Sequence, residues 1–215
     1  MNYNDKINLM QKYCTIYLVR HGETDWNKKK LIQGITDVPL NKKGEKQAKE
    51  LAQKLTHVRF DAVFSSDLIR AKRTAEIISL EKKLAVKTTK ALRERYFSEF
   101  EGKSYTKYNQ EIVNLLKSYR LAAINKKNIK GLETDGAMMG RLLPFLREVA
   151  VGYLGKTVLL LSHGGIMRSF LIHLGFASYE TLPSGSINNL AYIKLRSDGV
   201  DFFIEETEGV NRKSL

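Results

Sequence analysis

Cysteine occurs once in the 215 residues, at Cys14. A lone thiol cannot close an intramolecular disulfide, so the fold does not depend on an oxidising compartment, and thiolate metal clusters are excluded with it. Cys14 is expected to be inert packing. Long apolar runs are missing too: no window approaches the roughly 18 apolar residues of a membrane helix, and Met1 to Tyr13 lack the continuous hydrophobic stretch of a signal peptide. The expectation is a soluble, cytoplasmic protein with no membrane partner. Neither a His-Glu-x-x-His pair nor an acidic EF-hand spacing occurs, so no metal and no other cofactor is expected. Internal repeats, low-complexity tracts and linkers are likewise absent.

Acidic residues are in short supply. Against 36 Lys+Arg stand 23 Asp+Glu, a formal net charge of +13 that draws anions through the summed field of the molecule. The lysines fall in short scattered runs (Lys28 to Lys30, Lys42 and Lys43, Lys82 and Lys83, Lys126 and Lys127), with no basic tail or aromatic-basic repeat. They read as solvated faces, which argues against nucleic acid and leaves a small phosphorylated metabolite as the anion. With 43% hydrophobic residues, the length suits one large domain. Residues 1–14 read as a leader and 15–215 as a single domain, with the oligomeric state open.

Thr15 to Val19 is a β-branched, apolar run that ends abruptly in Arg20-His21-Gly22, as a buried strand entering a polar loop does. Asn41 is a good N-cap for a helix with Ala48, Leu51, Ala52 and Leu55 at helical spacing. Asp61 to Phe64 reads as a second strand, and Ser65-Ser66-Asp67 as the cap of a helix that buries Leu68, Ala71, Ala75 and Ile78. Thr157 to Leu161 is the clearest core strand, and Ser162-His163-Gly164-Gly165 leads from it into a helix over 166–174. Between about 104 and 153 the periodicity is helical, with Ile112, Leu115, Leu116 and Tyr119 on one face and Leu142, Phe145, Leu146 and Val149 on another. This stretch reads as a helical insertion. Leu190 to Arg196 and Val200 to Glu205 form a hairpin about Asp198-Gly199. Alternating strands and helices predict an α/β fold, a three-layer αβα domain with a mostly parallel central sheet, whose strand ends deliver Arg20, His21, Arg70 and His163 to one edge.

Phosphoryl transfer needs a nucleophile in line with phosphorus, cations for the equatorial oxygens and a proton donor for the departing oxygen. A histidine attacks only through an unprotonated ring nitrogen, and neighbouring guanidinium groups disfavour imidazolium. Arg20 beside His21 serves both needs.

The stretch Arg20-His21-Gly22-Glu23-Thr24-Asp25-Trp26-Asn27 resembles the signature of the histidine phosphatase superfamily, in its cofactor-dependent phosphoglycerate mutase-like branch. Later blocks follow in the family's order: Gln33-Gly34 with Asp37, Pro39 and Leu40; Ser65 to Leu68 with Arg70-Ala71 and Thr74-Ala75; Leu92-Arg93-Glu94; and Ser162 to Gly165. The resemblance implies a phosphoglycerate mutase-like fold and metal-free chemistry. His21 would be the phosphorylated nucleophile, Arg20, Arg70 and His163 would surround the phosphoryl oxygens, and Glu94 would protonate the leaving oxygen, for which its proton affinity has to be raised. Asn27, Gln33, Gly34 and Gly164 would complete the phosphate and substrate contacts, Gly164 by letting the backbone approach closely. His57, His173 and Arg73 fall outside the pattern and read as structural or solvated.

Three departures stand out. Ser98 and Phe100 stand where the family more often has Gly and Trp, and Asp135-Gly136-Ala137 replaces a frequent Gly-Glu-Ser, so a carboxylate used there would be missing. A phosphatase acting on compact anionic esters is the leading expectation. A phosphoglycerate mutase is the second, disfavoured by the short segment between Glu94 and His163, and an inactive basic binding module is the third.

Overall fold

The computed structural model describes residues 12–121, 128–129 and 131–214. Most of the expected leader, up to Gln11, and Lys126 and Lys127 lie outside the described residues. In chain order the elements are β1 (Cys14–Arg20), α1 (Asp25–Lys28), α2 (Lys42–Lys54), β2 (Ala62–Ser66), α3 (Ile69–Ser79), β3 (Val86–Thr89), α4 (Tyr105–Leu121), β4 (Asn128–Ile129), β5 (Leu132–Glu133), α5 (Asp135–Gly152), β6 (Thr157–Ser162), α6 (Gly164–His173), β7 (Ile187–Ser197) and β8 (Phe202–Val210).

The main sheet runs β3-β2-β6-β1-β7-β8. Its first four strands are parallel, and β7 and β8 add an antiparallel hairpin at one side. Central β1 and β6 are buried on both faces, which is why each reads as a continuous apolar run with no polar alternation. Ile16, Leu18, Val158 and Leu160 pack with Leu142, Leu146 and Val149 of α5 and Ile166 and Phe170 of α6. Tyr17, Val19, Leu159 and Leu161 pack on the other side with Leu51 and Ala52 of α2, Leu55 at its C-cap, and Ala71, Ala75 and Ile78 of α3. Helices on both faces of one sheet make the three-layer αβα arrangement. Cys14 is fully buried and its thiol is pushed up to about 12 by desolvation, in keeping with inert packing.

Two local expectations change. Asn41 does cap α2, accepting from Gly44 N at 2.8 Å, but α3 takes no cap from Ser65, Ser66 or Asp67. Its first residue, Ile69, donates instead to Asp37 Oδ1 at 2.7 Å, a partner 32 residues upstream, while Asp67 is held by Arg93 at 2.6 and 2.7 Å. The helical stretch 104–153 also divides. The α4 helix buries Ile112 and Leu116 in a separate cluster with Ile32, Phe100 and Leu132, whereas α5 is a full member of the sheet's own layer. Tyr119, expected on the α4 face, has a side chain outside the described set.

Because β1, β2 and β6 are parallel, their carboxyl ends open on one edge. Arg20-His21, the Ser66–Arg70 turn and His163 all leave the sheet there.

Candidate active site

His21 lies one residue beyond β1 and is 3% exposed, with its N–H still tied to Ser162 O at 3.1 Å. Its Nδ1 stands 2.7 Å from Gly22 O. A carbonyl only accepts, so Nδ1 must carry the hydrogen, and in the neutral ring the lone pair is then on Nε2. Desolvation, then Arg70 and Arg20, hold the His21 imidazole well below its ordinary range. The His163 ring is 5.1 Å from it, centre to centre, fully buried and depressed for the same reasons, with His21 and Arg141 adding to the effect of the arginines. Neutral His21 with a free Nε2 is the form that can attack phosphorus.

Arg70 is fully buried on α3, and burial brings its guanidinium down to about 10, so it stays protonated at neutral pH. It donates to Thr36 O at 2.9 Å and Gly34 O at 2.6 Å. Glu101 grips the same loop from the other side, accepting from Ile35 N at 3.0 Å, Thr36 N at 2.8 Å and the Thr36 hydroxyl. Gly34 has φ +56°, and a Cβ there would lie 2.0 Å from Glu101 Oε1, so a glycine is what lets the loop be held from both sides. Arg20 donates to Ile187 O of β7. After these bonds Arg20 Nε, Arg70 Nε and both ring nitrogens of His163 are buried with no partner.

Glu94 accepts three backbone N–H groups: Arg95 at 2.8 Å and Ile166 at 3.0 Å on Oε1, and Gly165 at 2.8 Å on Oε2. It thereby supplies the acidic cap that α6 lacks in its own first turn. Oε2 takes a single bond and keeps one acceptor position for a shared proton. A Cβ on Gly165 would stand 2.6 Å from Glu94 Oε1, a closer approach than at Gly164, whose Cβ would lie 3.2 Å from Arg20 Nε.

A cavity of about 620 Å³ joins these groups. Arg20, His21, Asn27, Gln33, Gly34, Arg70, Glu94 and Gly164 all line it, whereas His163, 5.1 Å from the His21 ring, does not. Arg73 is exposed and paired with Glu45 and Glu76, and His57 and His173 are exposed away from the cavity. Among the described residues no cluster of three His, Cys, Asp or Glu side chains suits a metal ion, and no helix is long and apolar enough to cross a membrane.

Sequence reasoning missed several supports. Arg141 of α5 donates to Ala91 O and Arg93 O at 2.8 Å and to Glu94 O at 3.1 Å, which fixes the backbone that carries Glu94. Its guanidinium is in turn bidentate on Glu133 at 2.8 and 3.0 Å. Glu133 immediately precedes Thr134, the N-cap of α5, so the carboxylate expected to be missing before this helix is present. Asp135, in the stretch read as a replacement, binds Arg95 and accepts from Tyr179 at 2.7 Å. Ser98 has φ +53°, a conformation that costs a non-glycine residue roughly 1–2 kcal/mol, which gives the family's glycine there a physical reason. Phe100 is buried in the α4 cluster. Asn189, whose side chain reaches the His21 carbonyl, had no local sequence signal at all.

The depressed histidines have a consequence for stability. Above about pH 6.5 both rings are neutral folded or unfolded; below it the unfolded chain takes up protons that the folded site refuses, so stability falls as pH falls. The slope is at most about 1.4 kcal/mol per pH unit for each ring, until the folded groups titrate. His21→Ala removes one ring, so its unfolding free energy is expected to gain on the wild type between pH 7.5 and 5. A constant gap in urea denaturation across that range would show that His21 is not held neutral.

Residues 16–208, spanning β1 to β8, match the sequence profile of the histidine phosphatase superfamily (branch 1). Phosphoglycerate mutase-like protein 4 of Arabidopsis thaliana is 35% identical over 163 residues, covering 73% of this chain and 69% of that protein. An uncharacterized phosphatase of Bacillus subtilis (strain 168), PhoE, is 33% identical over 174 residues, covering 80% and 83%. Among solved structures, YhfR of Bacillus stearothermophilus has a TM-score of 0.76 at 27% identity, over 91% of this chain and 96% of that one. With its layered fold and its two buried histidines beside Arg20 and Arg70, this chain belongs to the histidine phosphatase superfamily, branch 1.

Proposed function

We propose that the chain is a phosphatase that hydrolyses phosphomonoesters in two steps through phosphohistidine at His21. The observation that carries this reading is the set of buried, unpartnered nitrogens of Arg20, Arg70 and His163 around a neutral imidazole. A buried donor without an acceptor costs about 1–3 kcal/mol; the Nε–H groups of Arg20 and Arg70, and the single N–H of neutral His163, are such donors, and a phosphoryl group in the cavity supplies oxygens to the two arginines that line it. His21 Nε2 attacks phosphorus, the ester P–O bond breaks, and the departing alkoxide takes a proton from Glu94. Water then attacks the phosphoryl group on His21, giving its proton to Glu94, and the P–N bond breaks to release inorganic phosphate.

Two features favour hydrolysis of a sizeable ester over isomerisation of a three-carbon acid. At about 620 Å³ the cavity is in the range that holds drug-sized ligands, which leaves room for water. Away from Arg20 and Arg70 its wall carries an apolar patch of Leu31, Ile32, Phe97, Ile112, Val113 and Leu116 beside polar Asn109, Gln110 and Lys117, so the site has a surface for an apolar part of the leaving group as well as for the anionic phosphate. The reading is therefore broader than the compact esters suggested by net charge.

Incubation with 3-phosphoglycerate and a trace of its bisphosphate, following 2-phosphoglycerate and inorganic phosphate together, separates the alternatives. Inorganic phosphate is the expected product, with 1-naphthyl phosphate turned over at about tenfold higher kcat/KM, equivalent to ~1.4 kcal/mol of apolar contact. Turnover is expected to persist in excess chelator and to be blocked by vanadate. Fast isomerisation with negligible phosphate release would establish a mutase, and inactivity on every ester would leave a binding module.

A further inference from the structure

The antiparallel ladder between β1 and β7 ends at Val19 opposite Tyr192. Just beyond it β7 departs from regular pairing: Ile187 pairs with Val210 and Tyr192 with Glu208, so five steps along β7 face two along β8. Within this arch Leu190 has φ +59°, and its side chain packs against the core on the α2 and α3 side. Left-handed backbone at a leucine is costly, and bulges of this kind re-aim side chains beside functional sites.

The arch turns its polar groups onto the site. Ile187 O accepts from Arg20 Nη1. Asn189 Nδ2 donates to His21 O at 3.0 Å, filling the place where a continued ladder would have provided a backbone N–H. The same nitrogen stands 3.4 Å from Asn27 Oδ1. That oxygen also accepts from Thr24 N at 3.2 Å and Thr24 Oγ1 at 3.1 Å, and the Thr24 hydroxyl has its own acceptor role toward Asn27 N at 3.1 Å. Every partner of this atom is a donor, so it must be the carbonyl oxygen of the Asn27 amide. Asn27 lines the cavity, and with its carbonyl oxygen turned to these donors, its NH2 group is the end left for a ligand oxygen.

We infer that Asn189 is a positioning residue: the β7 arch uses it to lock the His21 backbone and to orient the Asn27 amide with both N–H donors toward the phosphoryl oxygens. Without it, Asn27 Oδ1 keeps only the bonds from Thr24 of its own turn, and the nucleophile's carbonyl loses its partner. The two effects act on one phosphate, so the assignment rests on the phosphatase reading above.

The test is a double-mutant cycle of Asn189→Ala and Asn27→Ala, read by kcat/KM on 4-nitrophenyl phosphate and, independently of turnover, by calorimetric binding of vanadate. Each single variant is expected to lower kcat/KM about tenfold to a hundredfold and to weaken vanadate by a similar factor. In the Asn27→Ala background, Asn189→Ala should cost at most about a third of its loss in the wild type, because the amide it orients is gone. Asn189→Asp keeps the side chain's shape with no N–H to donate and should reproduce the loss, which guards against poor folding of the alanine variant. Fully multiplicative losses, or wild-type kcat/KM and vanadate binding in either Asn189 variant, would overturn the inference and leave the phosphatase reading intact. A wild-type protein that neither hydrolyses the ester nor binds vanadate would sink both.

Discussion

His21→Ala is expected to lower kcat by roughly three to six orders of magnitude, the scale seen when a covalent nucleophile is removed. The reason lies in how few groups can replace it. His163 is the nearest other imidazole, but it is fully buried and does not line the cavity. Arg20 and Arg70 remain protonated and offer no lone pair. Brief exposure of the wild type to a 32P-labelled ester followed by quenching should leave an acid-labile, base-stable label, and His21→Ala should take none. Binding should survive, since the unpartnered nitrogens of Arg20 and Arg70 are untouched. Vanadate should therefore still bind by charge and hydrogen bonding, though without a bond to the imidazole. A variant that keeps a tenth of wild-type turnover, or still takes up label, would remove His21 from the reaction.

The contrast between His21 and Asn189 shows what a sequence makes legible here. His21 follows a run of buried residues and lies within a dense local motif, and Ser162 to Gly165 repeats that strand-to-loop pattern. Such signals depend on periodicity and adjacency, which survive without coordinates. The αβα layering was readable for the same reason, because β1 and β6 are buried on both faces and α2 and α3 each present one apolar stripe. The supports of the site are different in kind. Asn189 meets His21 across 168 residues, Arg20 meets Ile187 across 167, and Arg141 meets Glu94 across 47. No local pattern announces such a pairing, since each partner taken alone is an ordinary polar residue. The α3 cap failed in the same way: Ser65, Ser66 and Asp67 had the right chemistry at the right place, but Asp37 reached the free N–H from another loop. The division of 104–153 was hidden because α4 and α5 both carry apolar faces, and periodicity does not say which core a face enters.

Glu94→Gln is expected to lower kcat on an alkyl phosphate by about a hundredfold to ten-thousandfold, the usual range for loss of a general acid. The loss should depend on the leaving group, and that dependence identifies the role. An alkoxide departs slowly unless protonated, whereas 4-nitrophenolate departs readily on its own. On 4-nitrophenyl phosphate the first transfer should thus stay fast in the variant, while the second step lacks the base that activates water. Phosphohistidine should accumulate, seen as a burst of one 4-nitrophenolate per site followed by slow turnover. The geometry adds a cost on top of the chemistry. Three backbone N–H groups converge on the two carboxylate oxygens, and a glutamine must turn its NH2 toward one side of that set, setting donor against donor. Oε1 receives two of the bonds, so the amide oxygen is expected there and the NH2 faces Gly165 N. The α6 N-terminus is weakened by that clash, and thermal unfolding of the variant should begin a few degrees lower, consistent with loss of roughly 1–2 kcal/mol. Glu94→Asp keeps the charge on a shorter side chain and should fall between the two in turnover. Equal losses on the alkyl and aryl esters, with no burst, would mean that Glu94 only caps α6 and that another group moves the proton.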